Sequence, residues 1–460
     1  MIWRLRPSAF ALALACGWAM PASAQDAEAI SRELAAMRAQ MEQMAERIDT
    51  LESQLAAARA EAAAARPAAA GVEQTSGFVP EKPSAEIAWK GAPQLESEGG
   101  WSFKPRGRLQ VDAGAVNAPA RVADDGQFGF STELRRAYLG FEGTIPGGFG
   151  YRLEADFANS SVDLADVYIT YEPADSVTLT VGYQKPFWGL EEMTSDLFTS
   201  MIERAAFTSA FGFERRVGIS AAYAGKFLLV QGGVFTDDAQ SLGDDANKSW
   251  SADGRIVLMP ELGGGRLHLG VSAHLRDANG SVPDVRYRAR PGVHTTDLRP
   301  IDTGAFAVTG ERGFGAEAAY VRGRFHAAAE SHWLTARRAG LPDPTFKGGY
   351  AEAGFFLTPD DTRGYRNGTF DRVKPARPVD KGGIGAIQLN LRYDYLDLSD
   401  AGIVGGKQDG YLVSLIWTPT DYTRIMMNYA RLQYDNPAAP SGTGRDYGVD
   451  AFGMQAQVDF

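Results

Sequence analysis

DAFGMQAQVDF, residues 450–460, ends the chain on an aromatic ring. Read back from Phe460, every second residue is apolar or small: Val458, Ala456, Met454 and Phe452. Between them stand Asp459, Gln457, Gln455 and Gly453. A period of two describes a strand with one apolar and one polar face. The same texture recurs upstream in RGRLQVDAGAV (106–116), FGYRLEADFA (149–158), SVTLTVGYQ (176–184), GRLHLGVSAHLRD (265–277), NLRYDYLDL (390–398) and RIMMNYARL (424–432). Alternating segments of about ten residues, divided by turn residues, are the signature of transmembrane barrel strands.

Sixteen such segments are expected, near 101–116, 129–143, 148–158, 162–172, 175–185, 213–224, 226–236, 248–259, 264–276, 313–322, 324–334, 347–358, 384–398, 408–418, 421–433 and 449–460. Short turns (IPGG, EPAD, AG, PELGGG, RG, TPTD) follow the even-numbered strands, and longer connections, notably 186–212 and 277–312, follow the odd ones. Such asymmetry between the two rims is a second barrel signal. The connection 359–383 breaks the rule: it is long on the short-turn rim, so it either folds back into the structure or marks a slip of one strand. In a closed barrel the last strand pairs with the first, because every backbone group in lipid must be satisfied. Phe452, Met454, Ala456, Val458 and Phe460 would then face lipid, and Gln455 and Gln457 the lumen.

The N-terminus agrees with export. MIWRLRPSAFALALACGWAMPASAQ (1–25) has Arg4 and Arg6, a short apolar run, and Ala22-Ser23-Ala24 before Gln25, which is a signal peptide cleaved after Ala24. The stretch Ala13 to Cys16 faintly resembles a lipoprotein box; cleavage after Ala24 instead leaves no cysteine, hence no disulfide. Apolar residues then fall at Ile30, Leu34, Met37, Met41, Met44, Ile48, Leu51 and Leu55, a heptad seam that calls for partner helices. The expected organisation is a signal peptide (1–24), a coiled-coil helix (25–66), an Ala/Pro/Gly-rich linker (67–100) and the barrel (101–460). The formal charge of −11 disfavours nucleic-acid binding but does not fix the lining of a channel.

FKPRGRLQVDAGAV (103–116), LRRAYLGFEGTIPGGFGYRLEADFA (134–158), VGYQKPFWGLEEMTSDLFTSMIERA (181–205), GGYAEAGFFLTPDDTRGYRNGTFDRVKP (348–375) and QLNLRYDYLDLSD (388–400) together resemble the phosphate-selective porin O and P family. The resemblance covers essentially the whole mature chain. It implies a homotrimeric, sixteen-stranded channel in the bacterial outer membrane that passes small anions, with loops folded into the pore and the coiled coil in the periplasm. Contact of that coil with peptidoglycan is left open, as is a purely structural envelope tether with a closed barrel.

Strand parity places Arg108, Gln110 and Asp112 in the lumen if Leu109 and Val111 face lipid. Arg136, Arg152, Arg216, Arg392 and Arg424 are expected to line the pore with Arg108, and a column of arginines suits phosphate-like anions. Glu142, Glu154, Asp156, Asp166 and Asp394 share that parity, so a mixed-charge, general or weakly cation-selective lumen is the alternative. The connection after the fifth strand is where the resemblance implies a constriction loop. It carries Lys185, Glu191, Glu192, Asp196, Glu203 and Arg204, with Glu203 and Arg204 expected to anchor it to the wall. Phosphate-selective relatives are implied to have lysine near Asp196. The basic 277–312 loop, with Arg286, Arg288, Arg290 and Arg299, is a candidate for steering anions at the mouth. His268 and His274 share a face but lie about 20 Å apart, too far to share a metal. His326, Glu330 and His332 share lumenal parity without a nucleophile motif, so neither an enzyme nor a cofactor is expected.

Overall fold

The computed structural model describes residues 86–460, apart from 90, 98, 120–121, 123–127, 159–161, 213, 237–248, 281 and 439–445. The signal peptide, the coiled coil and most of the linker lie outside these residues. Sixteen strands form the wall. They are β1 Ser102–Asn117, β2 Gly129–Ile145, β3 Phe149–Asp156, β4 Asp163–Ala174, β5 Val177–Gln184, β6 Arg216–Ala224, β7 Leu228–Thr236 and β8 Trp250–Leu258, followed by β9 Gly265–Asp277, β10 Gly310–Arg322, β11 Phe325–Arg337, β12 Thr345–Phe356, β13 Ala386–Asp400, β14 Ile403–Thr420, β15 Thr423–Asp435 and β16 Tyr447–Asp459. Each pairs antiparallel with its neighbour, and β16 returns to β1 with Gln457 opposite Gln110 and Val458 opposite Leu109.

Closure removes the free edges that lipid cannot hydrogen-bond. The seam is extended by Phe460, whose N–H donates to the Gly107 carbonyl at 3.0 Å while Gly107 N–H donates to the Phe460 carbonyl at 3.1 Å. The Phe460 ring covers Gly107, where a Cβ would meet it at 2.0 Å, so only glycine fits under that ring. On β16 the residues Phe452, Met454 and Val458 are exposed, as is Phe460 just beyond it, whereas Gln455 and Gln457 are buried in the lumen. Exposed aliphatic side chains such as Leu139, Ile169, Val181 and Ile219 form a band bounded by aromatics: Phe141, Phe149 and Trp417 toward the short-turn rim, Phe314, Trp333 and Tyr411 toward the other.

Four local features differ from the alternating pattern. A bulge on β2, where Gln110 pairs with Arg136 and Val111 with Leu134, turns both Arg135 and Arg136 inward. Residues Glu86–Trp89 and Pro93–Glu96, read as linker, form a β-hairpin that pairs onto β1 through Leu95 and Phe103. The connection between β13 and β14 is only a two-residue turn, Ala401 at φ 49° and Gly402 at φ 85°, because both strands run on past their expected ends. Connection 357–385 keeps the strand count in phase and folds into the barrel, which settles its irregular length. Much of the lumen on the β10–β16 side is therefore packed: Trp188, Phe207, Tyr287, Ile301, Phe346 and Leu396 share one buried cluster.

Candidate functional site

The connection 185–215 between β5 and β6 turns inward because its apolar residues find their burial there. Trp188 and Phe207 pack on the His332 ring of β11, with ring centroids 4.8 and 4.7 Å away. Two short helices, α1 (Leu190–Met193) and α2 (Ala206–Phe211), carry the two limbs of the loop. Glu191 joins them: its carboxylate accepts from Ala205 N–H at 2.7 Å and Thr208 Oγ1 at 3.2 Å and lies 2.6 Å from Arg392. Arg392 also binds Glu352 at 2.6 Å and lies 4.3 Å over the Tyr350 ring. Further along, Arg424 donates to the carbonyls of Leu197 (3.0 Å) and Thr199, and Ser414 Oγ to that of Ser200 at 2.6 Å.

The loop crosses to the opposite wall at Asp196. Its carboxylate receives Arg108 Nη1 at 2.5 Å and Arg136 Nε at 2.7 Å, from adjacent strands β1 and β2. Burial alone would push this carboxyl up; Arg108 and then Arg136 outweigh it and hold it well below the usual carboxylate range. Glu203 meets the bulge residue Arg135 at 3.5 Å. Arg204 was expected to reach the wall; instead it stays within the loop, donating to the carbonyls of Glu191 (3.2 Å) and Thr194 (2.9 Å).

From the short-turn rim, connection 357–385 meets this loop from below. Phe370 N–H donates to Thr194 Oγ1 at 3.2 Å, and Arg363 donates to the Phe198 carbonyl. Its tip reaches the far wall, where Arg255 of β8 donates to the Gly368 carbonyl at 2.7 Å and Tyr365 OH lies 2.6 Å from His268 Nδ1. Connection 278–309 also folds inward, burying Tyr287, Val293 and Ile301. Its arginines are largely matched: Arg286 with Asp302 and Arg290 with Asp297 at 2.9 Å. None of these lines the cavity described next.

Between the loops and the β1–β7 wall remains a water-accessible cavity of about 1030 Å³. Ten basic side chains line it: Arg106, Arg108, Arg135, Arg136, Arg152, Lys185, Arg204, Arg215, Arg366 and Arg372. Seven acidic ones oppose them: Glu154, Asp166, Glu192, Asp196, Glu203, Glu214 and Asp371. In a chain of formal charge −11 the lining itself thus carries three more basic than acidic side chains, with Glu142 and Asp459 behind it paired to Arg106, Arg152 and Arg372. Most cations are bridged: Arg152 to Glu142 at 2.6 Å, Arg215 to Asp166 at 2.6 Å and Lys185 to Glu192 at 2.6 Å.

Of the arginines expected in the pore, Arg108, Arg136 and Arg152 line this cavity. Arg392 and Arg424 face inward but are covered by the inserted loop, and Arg216 binds Ser251 Oγ at 3.1 Å. Glu191 is likewise withdrawn beneath the loop, while Lys185, Glu192, Asp196, Glu203 and Arg204 line the cavity. Arg106 shares the parity of Arg108 and was findable; Arg135 required the bulge, and Arg366 and Arg372 required the fold of 357–385. Among the described residues no group of three His, Cys, Asp or Glu side chains is placed to hold a metal ion.

The family profile described as phosphate-selective porin O and P matches residues 103–460. An uncharacterised protein of Caulobacter vibrioides is 47% identical over 394 residues, covering 83% of this chain and 79% of that one. Porin O of Pseudomonas aeruginosa is 26% identical, covering 78% and 89%. The anion-selective porin from Comamonas acidovorans superposes with a TM-score of 0.50 at 14% identity, covering 78% of this chain and 100% of that one. OprB of Pseudomonas putida gives 0.50 at 10% identity, covering 79% and 95%. At those identities the two structures speak for the fold alone.

Proposed function

From the premise that the chain belongs to the phosphate-selective porin O and P family, and is thus an outer-membrane β-barrel porin, we propose that it passes small hydrophilic solutes by passive diffusion with a preference for anions. The observation that carries this reading is the ten-to-seven excess of basic over acidic side chains around the cavity beside the inserted loop. Charged groups at the narrow part of a pore set which ion enters, since a partly desolvated ion feels them strongly. The carboxylates interleaved with the arginines make this a preference rather than a strict filter. Phosphate is one solute within that class. We include in the proposal a homotrimer, with the coiled coil of residues 25–66 in the periplasm and available for peptidoglycan contact.

Liposomes carrying the protein provide the test. Anionic solutes should enter severalfold faster than cationic solutes of matched size, with neutral sugars between them. Equal rates would leave a general porin, and no entry at all would favour a closed barrel acting as an envelope tether.

A further inference from the structure

Asp196 has an unusual position for an acid in a cavity with surplus positive charge. It faces that cavity, and each of its carboxylate oxygens is taken by a different wall arginine, Oδ1 by Arg108 and Oδ2 by Arg136. The two guanidinium groups are oriented by other partners. Arg136 Nη1 donates to Gln110 Oε1 at 2.8 Å, and the Arg108 guanidinium lies 4.6 Å over the Tyr138 ring with Glu154 at 4.0 Å from its other nitrogen. Two arginines fixed in this way would face the cavity in the same arrangement without Asp196. They form a preorganised receptor for two oxygens of one anion.

The loop has anchors other than this carboxylate. The backbone just beyond it is held at the carbonyls of Leu197, Phe198, Thr199 and Ser200 by Arg424, Arg363 and Ser414. Gln457 adds a contact at 3.4 Å to Leu197. Among the described residues the only other side-chain bond to the carboxylate is from Ser195 Oγ at 3.4 Å. We infer that Asp196 is a tethered counter-anion: its carboxylate occupies an oxyanion site formed by Arg108 and Arg136 that a small oxyanion such as inorganic phosphate would otherwise fill. This deepens the anion-channel reading and rests on it. In the wild type, solute anions pass this point without being held; removing the tethered charge converts it into a saturable site.

The test uses the full-length protein in planar bilayers, with inorganic phosphate added against a chloride current. Asp196→Asn should lower the half-blocking phosphate concentration at least ~10-fold, the scale of one charge-assisted hydrogen bond regained. Asp196→Asn combined with Arg136→Gln should abolish that gain, because the oxyanion site then lacks one of its two guanidinium groups. Asp196→Ser serves as a second variant, and assembly is checked by the mobility of unheated samples in gels. Assembled, conducting Asp196 variants with unchanged phosphate block would overturn the inference. So would failure of both variants to assemble, because the carboxylate would then be part of what holds the loop. A wild type without anion preference would instead sink the channel reading on which the inference stands.

Discussion

Arg392→Met is expected to release the inserted loop from the β12–β13 wall and to raise single-channel conductance severalfold. Arg392 is buried and lies 2.6 Å from both Glu191 and Glu352, bridging these two acids. Glu191 ties both limbs of the loop, and Glu352 Oε1 accepts from Ser200 Oγ at 2.9 Å, so a single guanidinium links β13, β12 and the loop. Methionine keeps the apolar bulk over Tyr350 but leaves two buried carboxylates facing each other without the guanidinium that bridges them. Removing one partner of a buried ion pair costs about 3–5 kcal/mol. Trp188, Leu190 and Phe207 still favour the docked loop, so the barrel should assemble while the loop samples undocked positions. Trypsin should then cleave after Arg204 in the variant and not in the wild type. A conductance equal to that of the wild type, with the loop still protected, would contradict this role for Arg392.

Arg255→Met should loosen the second insertion and produce a noisier channel with an added high-conductance substate. Arg255 is 1% exposed and joins Glu317 at 2.8 Å to the Gly368 carbonyl at 2.7 Å. Gly368 sits at φ +74°, and a Cβ there would lie 2.6 Å from Leu229, so the tip fits this wall only as glycine. Without Arg255 the tip keeps only the Tyr365–His268 bond at 2.6 Å to this wall among the described residues, and Glu317 keeps His268, at 3.3 Å, as a partner. The base of the insertion stays held, with Arg372 bound to Asp459 and stacked over Tyr422 at 4.9 Å. Motion is therefore confined to the tip, and single-channel recordings should show flicker rather than a uniformly wider pore. Quiet recordings at wild-type conductance would show that the tip needs no latch.

The wall of the barrel was legible because lipid on one side and polar side chains on the other impose a period of two. That is why the expected segment 449–460 and strand β16 nearly coincide. Parity gives the face of a residue, not what lies above it. Arg392 and Arg424 were rightly inward, yet the loop that covers them comes from far away in sequence. A single extra residue in β2 was enough to bring in Arg135, which strict alternation sends to lipid. Asp196 read alone looked like a lost cation at an anion site. Its meaning changed once Arg108 and Arg136 were found on either side of it, a relation that spans 88 residues of sequence in one case. The hairpin at 86–96 escaped notice because Pro93 and the glycine at 91 read as linker, although Gly91 turns tightly under Tyr422.

The inserted loop leaves a cavity whose excess of basic side chains is proposed to govern which ion passes. The zero-current potential of the purified protein in a planar bilayer under a KCl gradient measures this directly. The expected potential has the sign of chloride being more permeant than potassium, and it is reduced when Arg106 and Arg152 are both changed to glutamine. A potential near zero, or one of the opposite sign, would mean that Glu154, Asp166 and their neighbours decide the passage, and the anion preference would be wrong.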